Sequence, residues 1–150
     1  MIPKFRAWVE AEETIHHVLS LDWSGIGDNL TIFVPMGHTS SRAVSIDNAV
    51  LMQSTGLFDA NGKEIFEGDI VTYLDDDNNP IYENAVVKFG QHTNMNTIYE
   101  REPVYIGLYI EGQRGTATFD VNRMYNDCEG RLTIIGNIYE NPELLEVLND

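Results

Sequence analysis

The chain has a single cysteine, Cys128, among its 150 residues. An internal disulfide is therefore excluded, and with it the small secreted domains built on disulfide frameworks; a reducing compartment fits this usage. No stretch approaches the roughly 18 consecutive apolar residues of a membrane-spanning helix, and no apolar segment follows the charged start Lys4-Phe5-Arg6. Neither export nor a membrane anchor is expected. Cations are scarce: nine Lys and Arg stand against 24 Asp and Glu, a net charge of −15 with the histidines neutral. Phosphate backbones and anionic membranes are bound by cationic clusters that release counterions, and these cations are scattered from Lys4 to Arg131. Nucleic acid and membrane are thus not expected partners. The acidity serves solubility, or alternatively supplies a functional negative field.

What is present is ordinary globular material, 43% apolar and 22% charged, enough for one packed domain over residues 1–150. Short apolar runs separated by Gly, Asn, Asp and Pro recur about every 8 to 12 residues, which predicts a mostly β protein. Residues 4–9 place Phe5, Ala7 and Val9 on one strand face, and residues 14–21 continue as a hairpin arm with Ile15, His17, Leu19 and Leu21 sharing a side. After a strand at 30–34, the stretch 35–48 is irregular. It marks a plausible seam between an N-terminal β layer, 1–48, and a more compact barrel with a C-terminal helix, 49–150. Asn61-Gly62 between apolar runs predicts a type I′ hairpin turn that pairs 63–66 back onto Leu57 and its neighbours. A second tight turn at Glu67-Gly68-Asp69 leads into a strand at 70–74. Further strands are expected at 82–89, 104–110, 116–121 and 132–139, with a polar insertion at 90–102. Only the C-terminus reads as helix, with Asn141 as cap, Pro142 at N1 and Leu144, Leu145 and Leu148 as an apolar stripe.

No chemistry assembles from the motifs. Asp75-Asp76-Asp77-Asn78-Asn79 imitates the start of a calcium loop, but Pro80 stands where the sharp turn needs Gly and Val86 where a bidentate Glu belongs. Gly25-Ile26-Gly27-Asp28-Asn29-Leu30 lacks the third glycine of a dinucleotide fingerprint and no helical pattern follows it. His16 and His17 are adjacent, so a strand sends them to opposite faces, and His38 and His92 stand alone. The acidic neighbours of Cys128 disfavour a nucleophilic thiolate. No serine has a nucleophile-elbow context. No catalytic, cofactor-binding or metal-ligating residue is expected, and no cofactor.

Three blocks nevertheless stand out. Phe5-Arg6-Ala7-Trp8 opens the chain. Leu51 to Leu57 is followed by Asn61-Gly62-Lys63-Glu64-Ile65-Phe66-Glu67-Gly68-Asp69-Ile70-Val71, and Ile135-Gly136-Asn137-Ile138-Tyr139-Glu140-Asn141-Pro142-Glu143-Leu144-Leu145 closes the sequence. In content and order they resemble the YopX family of phage and prophage proteins. The segments from about Glu10 to Asp47 and from Gly90 to Gly130 stand apart as specific to this chain. The resemblance implies a small SH3-like β-barrel, here with an N-terminal β-hairpin extension and a short C-terminal helix, and a host bacterial cytoplasm. It implies no established activity and no catalytic residues.

Gly56, Leu57, Asn61, Gly62, Glu67, Gly68, Asp69 and Ile70 form either a structural motif or an interaction surface. In the structural reading Gly56, Gly62 and Gly68 supply positive φ or tolerate crowding, and Asp69 accepts nearby backbone N–H groups. The expected function is a non-enzymatic protein-interaction module whose partner is a host or phage protein, and self-association is open to it. The alternatives are an acidic nucleic-acid mimic that inhibits a host enzyme, and a hydrolase with a site dispersed along the chain. Electrostatics generates a direct test. No affinity for duplex or single-stranded DNA or RNA is expected in an anisotropy titration at 150 mM salt, and micromolar binding that weakens as salt rises would reverse this reading.

Overall fold

A computed structural model describes residues 4–24, 29–74, 77–92, 105–112, 115–118 and 132–146. The chain is mostly β. Its contacts divide it into two compact units, Met1–Ser54 and Thr55–Asp150. The division falls inside one strand, beyond the segment 35–48 read from the sequence as a seam.

In the first unit β1 (Phe5–Val9) pairs antiparallel with β2 (Thr14–His17) and, on its other side, with β6 (Ala49–Phe58). The alternation read in the sequence holds: Ala7 and Val9 are buried. The expected single arm over 14–21 is instead two strands in two sheets, because β3 (Ser20–Asp22) pairs with β4 (Thr31–Met36). The switch occurs between adjacent amides. Val18 N–H donates to Phe5 O at 3.1 Å, and Leu19 N–H donates to Phe33 O, in the other sheet, at 2.8 Å.

The stretch expected to be irregular forms β5 (Ser40–Ser45), paired with β4 from Thr31↔Ser45 to Met36↔Ser40. Its sequence Ser-Ser-Arg-Ala-Val-Ser has no apolar alternation, so the neighbouring strand supplies the ordering that its own pattern lacks. Pro35 sits inside β4 beyond Phe33, the last residue that β3 pairs, so its missing N–H breaks no ladder bond to β3. Ala7, Val9, Leu30, Ile32, Val34, Val44 and Ala49 form this unit's core, and burying each larger aliphatic contributes about 1.5–3 kcal/mol.

The second unit begins with the last residues of β6, on which β7 (Glu64–Phe66) folds back as expected. A five-stranded antiparallel sheet follows. It comprises β8 (Asp69–Leu74), β9 (Pro80–His92), β10 (Tyr105–Gly112), β11 (Gly115–Thr118) and β12 (Leu132–Asn137), in the order β11-β10-β9-β8-β12. Strand β9 runs on through Gly90 to His92, which were read as the start of a polar loop; 93–102 lie outside the described residues. The helical segment α1 spans Glu143–Glu146, with Leu148 outside the described residues. Ile65, Val71, Tyr82, Ala85, Val87, Ile110 and Leu132 form the core, flanked by the half-buried Leu57, Tyr73 and Ile134.

The 59–63 turn differs in type from the expected one. A type I′ turn needs positive φ at both central residues, but Asn61 is not among the residues with positive φ, whereas Gly62 has φ +79°. Gly62 N–H donates to Asp59 O at 3.0 Å and Asp59 N–H to Lys63 O at 2.8 Å, the pattern of a three-residue loop closed by a left-handed glycine. An added Cβ at Gly62 would meet nothing within 4 Å, so the demand there is conformational and not steric. Gly62→Val is expected to lower stability in urea denaturation by about 1–3 kcal/mol, with Lys63→Ala nearly silent. Equal midpoints for the two variants would place the turn elsewhere.

Candidate interaction surface

The eight motif residues divide on burial. Gly68, Asp69 and Ile70 are buried, Leu57 packs half-buried on the core, and Glu67 is half-buried; Gly56, Asn61 and Gly62 are exposed. Gly56 and Gly68 have φ of +77° and +84°, as the structural reading of the motif required. Asp69 Oδ2 accepts the Phe66 N–H at 2.7 Å, Gly68 N–H donates to Val87 O, and Gly68 O accepts from Ile138 N–H. The second turn thereby joins β8 to β9 and to the segment after β12.

The sequence reading passed over Asp59, which is 2% exposed. Its Oδ1 accepts from Asn61 N–H and Lys63 N–H, both at 2.9 Å, and its Oδ2 accepts from Ile134 N–H at 3.0 Å. An Asp opening an Asp-Ala-Asn-Gly turn was the available signal, since Asp bonds backbone N–H groups downstream of it. Near the C-terminus Asn137 Oδ1 accepts from Tyr139 and Glu140 N–H, and its Nδ2 donates to Glu140 Oε1 at 2.8 Å. Asn141 Oδ1 accepts from Asn137 N–H, so this side chain, expected to cap α1, reaches back to β12. A Cβ on Gly136 would lie 2.6 Å from that oxygen.

The first unit carries a different kind of feature. His16 and His17 diverge as their adjacency on a strand requires. Arg42 donates to both carboxylate oxygens of Glu12, and His16 Nε2 lies 3.7 Å from the same carboxylate. The hydrogen bond from Arg42 holds the Glu12 carboxyl below its ordinary pKa. The pair therefore contributes at neutral pH, and its contribution is lost as pH falls through that lowered value. His17 instead lines an open cleft of about 580 Å³, together with Leu19, Pro35, His38 and the turn residues that follow it. Ser40 Oγ donates to Met36 O at 2.6 Å and tightens that turn.

Large apolar side chains lie on the surface of both units. Leu19, Trp23 and Met36 are 52%, 66% and 50% exposed in the first, and Phe58, Phe89 and Ile135 are 44%, 56% and 40% exposed in the second. Among the described residues no three His, Cys, Asp or Glu side chains converge on a metal position. Asp75, Asp76 and Cys128 lie outside the described residues. No helix among the described residues is long and apolar enough to cross a membrane.

A family model described as YopX protein matches residues 4–146. The chain belongs to the YopX family. The match takes in the segments 10–47 and 90–130 that the sequence reading set apart. Among solved structures, the YopX chain is similar to protein EF1440 from Enterococcus faecalis, with 27% identity over 97% of this chain and 99% of that one, at a TM-score of 0.47. No curated protein matches.

Asp59 generates the sharpest test of the motif's architecture. Asp59→Ala removes the acceptor for three backbone amides and is expected to cost about 2–4 kcal/mol in urea denaturation. Asp59→Asn keeps one acceptor oxygen and should cost less. A loss below that of an exposed substitution such as Lys63→Ala would show that the three bonds do not hold the turn.

Proposed function

We propose that the protein is a non-enzymatic, phage- or prophage-encoded interaction module that binds a host or phage protein in a bacterial cytoplasm. Family membership supports the phage setting. The observation that carries the binding role is the exposure of Leu19, Trp23 and Met36 in so acidic a chain, since aromatic and aliphatic side chains on a charged surface serve as anchors in protein interfaces. Gly56, Asn61 and Gly62, the exposed part of the hairpin motif, form a second place for contact.

The second unit is read as an SH3-like small barrel with β1 and β2 as its N-terminal hairpin extension. The strand order supports this: β8 to β11 form a meander, and β12 returns beside β8, so the fifth strand neighbours the first. Register shifts between β8 and β9, together with Asn84 at φ +49° within the thirteen-residue β9, supply the local bending that a curled sheet needs.

The test is retention of a partner by the full tagged chain in host lysate, with and without phage induction, beside its mass by light scattering. One protein held in stoichiometric amount, or a defined oligomer, is expected, and Leu19→Ser/Trp23→Ser/Met36→Ser should release it while leaving the β circular dichroism unchanged. A monomer that retains nothing under either condition would overturn the proposal.

A further inference from the structure

We infer that Asn61 is a site of self-deamidation, its side-chain amide lost to attack by the Gly62 main-chain nitrogen, and that the turn closed by Asp59 restrains this reaction. Asn61 is the only asparagine of the chain followed by glycine. Asparagine is chemically labile because the next main-chain nitrogen can close a ring onto its side-chain carbon, and a side chain on that next residue crowds the approach; glycine has none. Both residues are exposed, and a Cβ on Gly62 would meet nothing within 4 Å. No packed group therefore keeps water from the turn.

The reaction needs only water and hydroxide. Hydroxide removes the Gly62 amide proton, the nitrogen bonds to Asn61 Cγ, and the Cγ–Nδ2 bond breaks. The leaving nitrogen takes a proton from water and departs as ammonia, which regenerates the hydroxide. Water then opens the resulting succinimide. Cleavage of the new bond leaves an aspartate at position 61, and cleavage of the original main-chain bond leaves an isoaspartate whose backbone runs through Cβ and Cγ.

Two features of the turn oppose the first step. The Gly62 N–H that must ionise donates to Asp59 O at 3.0 Å, and a bonded amide releases its proton when that bond opens. Asp59 Oδ1 accepts from the amides before and after it, Asn61 N–H and Lys63 N–H, both at 2.9 Å. A carboxylate thus flanks the nitrogen that must become negative. Like charge disfavours that ionisation, and the net charge of −15 acts in the same sense. The products remove the restraint. Each adds a carboxylate close to Asp59 in sequence, and isoaspartate also lengthens the main chain inside a loop closed by Gly62 at φ +79°. The change is a one-way record of turn opening.

Peptide mapping of the full chain during incubation in mildly alkaline buffer reads the reaction as the mass gained when NH2 becomes OH at position 61, and as separation of the two isomeric products. Deamidation at Asn61 is expected to be at least about tenfold slower in native buffer than in urea, where the turn is open throughout. In urea Asn61 should outpace every other asparagine. Asp59→Ala should raise the native rate at least about fivefold. Asp59→Asn, which keeps an acceptor oxygen without the charge, should fall between the two, and it decides the matter if circular dichroism shows Asp59→Ala to be unfolded. Asn61→Gln should abolish the signal at that position. Equal rates in buffer and urea, a rate in urea no higher at Asn61 than at other asparagines, or a folded Asp59 variant that reacts no faster than the unsubstituted chain would each overturn the inference.

Discussion

The carboxylate of Asp59 is the constraint on which the second unit turns. One side chain, 2% exposed, closes the β6–β7 turn through Asn61 and Lys63 and reaches Ile134 of β12. It thereby links the unit's first hairpin to the last strand of its sheet, two pieces of chain more than seventy residues apart, |i−j| being 75 for that bond. Closing so long a loop has an entropic cost, and a non-local bond becomes favourable once other contacts have shared that cost. Ala60 N–H supplies one of them by donating to Leu132 O at 2.9 Å, and the burial of Ile65 and Leu132 in one core supplies another. A carboxylate suits the place because its two oxygens can accept from donors in different directions, which a hydroxyl or an amide does less completely.

The C-terminal block obeys the same logic on a shorter scale. Asn137 and Asn141 use side-chain oxygens to satisfy amides at 137, 139 and 140, where the chain leaves β12 and no sheet ladder can serve those groups. Gly136 is favoured by this arrangement, since a Cβ there would lie 2.6 Å from the Asn141 oxygen and the Asn141 side chain would have to shift. The sequence expectation that Asn141 caps α1 followed from its place before Pro142. The Asn141 backbone carbonyl accepts Leu144 N–H at the start of α1, while the side-chain oxygen accepts Asn137 N–H instead.

The legible features were those with local causes. The alternation of Phe5, Ala7 and Val9, the left-handed glycines at 56, 62 and 68, and the amide bonded by Asp69 each depend on a few neighbouring residues. What could not be read depends on partners distant in sequence. The break at Val18 is invisible in an apolar pattern that continues across it, because the choice between Phe5 and Phe33 as acceptor is made by two different sheets. Strand β5 is ordered by β4, and Asp59 is recognisable as a hub once Ile134 is known to lie beside it. The cleft was missed for the same reason. Its histidines stand 21 positions apart in number, at 17 and 38, and the two connections that bring them to one place belong to a sheet the sequence did not reveal.

This division bears on what family membership can mean. The blocks that carry the YopX resemblance contain Gly62, Gly68, Asp69, Ile70, Gly136, Asn137 and Asn141, and the structure uses these residues for turns, buried bonds and core. Such residues specify a frame. Leu19, Trp23, Met36 and His38, by contrast, lie in the 10–47 segment outside those blocks, and their side chains are on the surface or in the cleft. A residue that no fold contact requires can change without loss of the frame, so the surface has room to vary there while the architecture is kept. Resemblance carried by the first set is therefore informative about the fold, and the proposed interaction would draw its chemistry from the second set.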